Sequence, residues 1–134
     1  MKPVRYSVAL SVALLVAFSL AVAVAGAEAA KVVPVGSAKQ GKTVTLQRGD
    51  WLVVSLKGNA TTGFAWRVKC VNGKVLKPRA VTYVPDPNPT HLVGKGGVYK
   101  LRFKALTRGT TRLHLVYARD KELGDSYKLR VVVS

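Results

Sequence analysis

Cys70, His91 and His114 are the residues with which this sequence could do nucleophilic or acid–base chemistry. A cysteine nucleophile needs an activating base, and neither histidine stands at a spacing that pairs it with Cys70 or with a carboxylate. Cys70 closes an alternation in which Phe64, Trp66, Val68 and Cys70 face one way and Ala65, Arg67 and Lys69 the other. That pattern predicts a small buried residue, not a reactive thiol. The acidic group Asp120, Glu122 and Asp125 is interleaved with Arg119 and Lys121, which reads as a solvated loop and not as a cation site. Gly94-Lys95-Gly96-Gly97 has the glycines of a phosphate cradle, but such cradles open into a helix N-terminus and this one leads into a strand. Neither an enzyme nor a metal or other cofactor is expected.

Recognition chemistry is better served. Asn59-Ala60-Thr61-Thr62-Gly63-Phe64 is a short polar stretch between two apolar runs, residues 51–56 and 64–70. It reads as an exposed turn held by a half-buried strand, and a stiff loop on a rigid scaffold is a common recognition surface.

The flanking elements are strands. Val44 and Leu46 alternate with polar neighbours, as do Tyr99, Leu101, Phe103 and Ala105; Leu113, Leu115 and Tyr117; and Tyr127, Leu129, Val131 and Val133. Asn72-Gly73 marks a tight turn, Pro78 suits an edge strand, and residues 85–97 form the longest stretch without periodicity. Residues 118–126 read as a charged loop. No sustained helical period follows residue 30. Seven or eight short strands predict an all-β fold, an immunoglobulin-like antiparallel sandwich over residues 31–134. The single cysteine excludes an internal disulfide.

Residues 1–30 have another character. Lys2 and Arg5 precede an apolar run over residues 8–25, and Ala25-Gly26-Ala27 and Ala27-Glu28-Ala29 both fit a small-x-small cleavage site. The segment is expected to be a secretory signal, or an N-terminal anchor that tethers the domain to the membrane. In either case the domain is exported: secreted, periplasmic or held on the outer face of the cytoplasmic membrane. The chain of 134 residues carries a formal charge of +16, and residues 1–30 account for only +1 of it. Such a surface favours acidic partners. Nucleic acid is not expected, because the aromatic residues fall on apolar faces where a single-strand binder would expose them.

Three stretches in order resemble the chagasin family of inhibitors of papain-like cysteine proteases. The family's first motif is Asn-Pro-Thr-Thr-Gly followed by an aromatic residue and, two positions on, Trp; here it reads Asn59-Ala60-Thr61-Thr62-Gly63-Phe64 and Trp66. The second, Gly-x-Gly-Gly before a strand, is Gly94-Lys95-Gly96-Gly97. The third, Arg-Pro-aromatic after a Tyr-ending strand, is Arg119-Asp120-Lys121 after Tyr117, and only its arginine matches. The resemblance implies a monomeric domain whose three loops converge at one end and plug a protease cleft. Thr61 would lie over the nucleophile, Asn59 and Thr62 would hold the loop, and the other two motifs would grip the cleft walls. Replacing Pro by Ala60 removes a backbone restraint and creates the acceptor sequence Asn59-Ala60-Thr61 for N-glycosylation. Two other readings stand beside inhibition. Thr61 and Thr62 could do no more than satisfy turn hydrogen bonds, and the domain could be a non-inhibitory binding module that works through its basic surface.

Overall fold

The computed structural model describes residues 29–134. The apolar run over residues 8–25 lies outside the described residues.

Eight strands follow one another: β1 (Val32–Val35), β2 (Thr43–Leu46), β3 (Trp51–Gly58), β4 (Ala65–Cys70), β5 (Leu76–Pro85), β6 (Gly97–Ala105), β7 (Gly109–Arg119) and β8 (Glu122–Val133). They form two four-stranded sheets, ordered β1-β3-β6-β5 and β2-β8-β7-β4. The inward residues of the period-2 runs meet between the sheets. Leu52, Val54, Leu101, Phe103, Leu113, Leu115, Leu129 and Val131 are all buried there, with Trp66 among them. Each such side chain contributes about 1.5–3 kcal/mol relative to exposure, so this layer carries most of the favourable term.

The sandwich departs from simple antiparallel pairing at two edges. β1 runs parallel to β3, and β2 runs parallel to β8. Both are four-residue strands that enter the sheets by connections across the end of the sandwich, where a hairpin return cannot form. β5 is an edge strand, as Pro78 requires, and its register slips between Pro78 and Ala80.

Two further expectations need correction. Cys70 is exposed. A bulge between Val68 and Cys70 adds Lys69 to β4, and the extra residue breaks the alternation that pointed the thiol inward. Trp51 lies on an outward face, between the core residues' positions, with the Arg102 guanidinium 4.9 Å and the Lys104 ammonium 4.5 Å from its ring centre. Not every aromatic side chain is therefore turned to the core.

Chain direction decides where the connections fall. β3 and β4 belong to different sheets, so residues 59–64 cross over one end. β5–β6 and β7–β8 are hairpins, and their turns fall at that same end. The opposite end holds residues 47–50, 72–74 and 106–108.

That far end is closed by Asp50, which is 5% exposed and accepts hydrogen bonds from the backbone N–H of Gln47 (2.9 Å) and Lys31 (3.1 Å). These two bonds hold its carboxyl below the ordinary value of 3.8, against the opposing effect of burial. A depressed carboxyl stabilises the fold above the unfolded-state value and loses that contribution as pH falls through the folded-state one. Asp50→Ala should therefore lower Tm at neutral pH and flatten the loss of stability below about pH 4, read as Tm against pH.

Candidate functional site

The first tip is a turn of 3-10 helix, Ala60–Thr62, entered from Asn59 and left through Gly63 at φ +83°. Asn59 organises it. Its Oδ1 accepts from Thr61 N–H (3.1 Å) and from Thr61 Oγ1–H (2.6 Å). Its backbone carbonyl accepts from Thr62 N–H (3.2 Å) and Thr62 Oγ1–H (2.7 Å). Both threonine hydroxyls are thus spent inside the loop, and Asn59 and Thr62 do hold it. The exposed surface of the tip is Ala60, Thr61, Thr62 and Gly63.

An aromatic base carries this tip. Tyr117 stacks on Trp66 (centroids 5.3 Å apart) and lies 5.4 Å from Phe64. Its Oη accepts from the Asn59 N–H at 2.7 Å, while Tyr99 Oη donates to the Phe64 carbonyl at 3.2 Å. Trp66 Nε1–H donates to the Lys57 carbonyl at 2.9 Å. Three buried or half-buried rings therefore grip the loop at its start, its end and the strand before it. Burial, with the neighbouring Tyr117 and Tyr83 phenols, pushes the Tyr99 hydroxyl up, so it stays a donor at neutral pH.

The second tip is residues 86–96. Asn88 braces it from within: its Nδ2 donates to the Leu92 carbonyl (2.7 Å) and its Oδ1 accepts from Leu92 N–H (2.9 Å). Asp86 N–H closes its base on the Gly96 carbonyl. Gly94 and Lys95 are exposed, Gly96 is half-buried, and Gly97 is buried as the first residue of β6. Gly97 belongs to the support of the tip and not to its surface. Leu92 and Val93 are exposed apolar residues here, Val93 fully so, and sequence reasoning did not single them out. Their placement directly before the glycine cluster, in an aperiodic stretch, was the signal available.

The third tip is shorter than expected. β7 runs to Arg119 and β8 starts at Glu122, so only Asp120 and Lys121 turn the chain, with Asp120 at φ +51°. The charged residues that read as a loop pair across the hairpin, Arg119 opposite Glu122. A register shift beside Tyr117 leaves Gly124 out of the ladder, and Phe64 lies against it: a Cβ on Gly124 would come within 3.1 Å of the Phe64 ring.

The three tips are joined. Asn59 Nδ2 donates to the Gly94 carbonyl at 2.6 Å, linking the first to the second. Arg119 Nη1 donates to the Thr62 carbonyl at 2.9 Å and its guanidinium stands 4.7 Å from the Phe64 ring centre, linking the first to the third. Arg119 also pairs with Glu122 at 2.9 Å. That pair is exposed and contributes little to stability, but it fixes the direction of the guanidinium. The residues of the three motifs lie at this one end, and the hydrogen bonds of Asn59 and Arg119 join the three tips. No group of three metal-ligating side chains occurs among the described residues.

Comparison with known proteins agrees with this geometry. The model of the chagasin family peptidase inhibitor I42 matches residues 45–133. Amoebiasin-1 of Entamoeba histolytica is 32% identical over 77 residues, which are 58% of this chain and 72% of that protein. Among solved structures, the cysteine protease inhibitor EhICP2 from Entamoeba histolytica superposes with a TM-score of 0.70 at 23% identity, covering 81% of this chain and all of that one. The solution structure of Amebosin superposes with a TM-score of 0.64 at 26% identity, covering 80% of this chain and all of that one. With a family match that covers about two-thirds of its length, this chain belongs to the chagasin family of peptidase inhibitors.

Proposed function

We propose that the domain is a reversible, tight-binding inhibitor of papain-like cysteine proteases, that it acts as a monomer outside the cytoplasm, and that the three tips fill the cleft together. The first tip faces the catalytic cysteine and histidine, and the second and third rest on the cleft walls. Residues 8–25 deliver the domain across the membrane or hold it there.

The observation that carries this reading is the use of the first tip's carbonyls. Those of Asn59, Ala60 and Thr62 each accept a hydrogen bond from within the protein. A protease needs an extended peptide with its carbonyl free for attack and for the oxyanion donors. A tip coiled as a 3-10 turn, with these three carbonyls engaged, is not the extended peptide that attack requires, and so it occupies the cleft without being cleaved. Because the tips already hold one another, little ordering entropy is lost on binding.

Titration of the purified protein against papain and a cathepsin, with a fluorogenic peptide as reporter, tests this. Competitive, reversible inhibition is expected. Thr61→Arg places a long side chain at the centre of the interface and should weaken inhibition on the order of 100-fold, about 2.7 kcal/mol, with Tm unchanged. No inhibition at micromolar concentration from the folded protein would refute the proposal.

A further inference from the structure

The three tips carry little net charge, because Lys95, Arg119 and Lys121 there are offset by acidic residues. Four of the five acidic residues after residue 30, namely Asp86, Asp120, Glu122 and Asp125, lie in or beside the second and third tips. The excess of lysine and arginine is left to the sheet faces. One group of these cations lies on the outer face of the β2-β8-β7-β4 sheet. Arg112 stands directly opposite Arg130, and His114 opposite Lys128. Like charges in directly opposed positions, as Arg112 and Arg130 are, destabilise a sheet, so folding alone does not favour that pair.

These four side chains, with Thr43 and Cys70, line a concave depression of about 620 Å³. His114 lines it, and the Nε2 of that ring is buried without a hydrogen-bond partner among the described residues. Burial first, then the charges of Lys128 and Lys69, hold the His114 imidazole below its ordinary value. At neutral pH it is an uncharged ring beside these cations.

We propose that this depression binds the anionic groups of a linear acidic polysaccharide and leaves the tips free to engage a protease. Same-face residues recur about every 6.8 Å along a strand, with neighbouring strands about 4.8 Å away, so Lys128 and Arg130 on β8 and Arg112 beside them on β7 are spaced to meet successive sulfates or carboxylates of one chain. No aromatic side chain lines the depression, and the leucines beneath it, Leu113 and Leu129, are buried. A nucleic-acid single strand therefore finds no stacking platform, and a bilayer finds no apolar residue to insert.

Calorimetric titration of the full-length protein with a size-defined heparin oligosaccharide, at physiological ionic strength, tests this. Arg112→Ser/Arg130→Ser should weaken binding at least tenfold. The charge-matched Lys77→Ser/Lys100→Ser, on the other sheet, should weaken it less than threefold. The His114 ring resonances should shift on titration, and papain inhibition should persist at saturating heparin. Equal losses in the two double variants would reduce the effect to net charge and overturn the proposal. So would equally tight binding of a single-stranded oligodeoxynucleotide or of phosphatidylserine vesicles, or an unmoved His114 signal. Inhibition and heparin binding fail independently: Thr61→Arg should lose the first and keep the second.

Discussion

Asn59→Ala should cost the protein most of its inhibitory strength while leaving its fold nearly as stable. The amide makes three side-chain hydrogen bonds, two within the first tip and one to the Gly94 carbonyl of the second. None is buried, and each has a net value of about 0.5–1.5 kcal/mol. Together they are what keeps the tip coiled and seated against its neighbour before a protease arrives. Without them the ordering cost moves into the binding step, at about 2–4 kcal/mol, which is roughly 30- to 1000-fold in the inhibition constant. Tm should fall by only a few degrees, because water replaces the lost partners in the uncomplexed protein. A loss of less than threefold would mean that the tip does not depend on Asn59. The same amide heads an N-glycosylation acceptor sequence, and a glycan on Nδ2 would stand where the second tip is gripped. Active inhibitor should therefore carry Asn59 unmodified, which mass spectrometry of the native protein reads directly.

Gly97→Val should act on the fold first and on inhibition through it. Gly97 sits in the middle of three strands, opposite Gly58 of β3 on one side and Pro85 of β5 on the other. A Cβ there would overlap the Val84 carbonyl and come within 2.8 Å of Pro85 Cα and of the Tyr83 ring. Two of these obstacles are backbone and cannot rotate away. Overpacking of this kind costs about 1–3 kcal/mol and more where the backbone must move, so a Tm lower by about 10–20 °C is expected for a domain of this size. The second tip springs from this residue, so inhibition should weaken as well. An unchanged Tm would show that β5 and β6 separate at this point without cost.

Much of this molecule was legible in its sequence. The period-2 runs around Leu101 and Phe103 and around Leu129 and Val131 place the core correctly, because only one register buries them. That the three motifs meet at one end was implied by the family resemblance and not by the hydrophobic pattern. What the sequence hid was local and geometric. The Lys69 bulge turned Cys70 outward, and no residue type announces a bulge of that kind. The charges at residues 119–125 read as a loop because alternating signs look solvated, whereas across a hairpin Arg119 and Glu122 are partners. The aromatic grip of Tyr99 and Tyr117 on the first tip was invisible for another reason. Alternation shows which way a ring points but not that its hydroxyl reaches the backbone of the loop between β3 and β4. Gly97 reads as part of a recognition motif, yet it is buried and serves strand packing. The parallel edges of β1 and β2 depend on connections across the sandwich end, to which hydrophobic pattern is blind.

Hydrogen–deuterium exchange of the protein alone and in complex with papain is the most direct test of the claim that three separate turns act as one plug. The expected result is simultaneous protection of residues 59–64, 91–96 and 119–123 in the complex, with the outer sheet faces and the Asp50 end unchanged. Protection confined to a sheet face, or to one tip while the other two exchange freely, would contradict it.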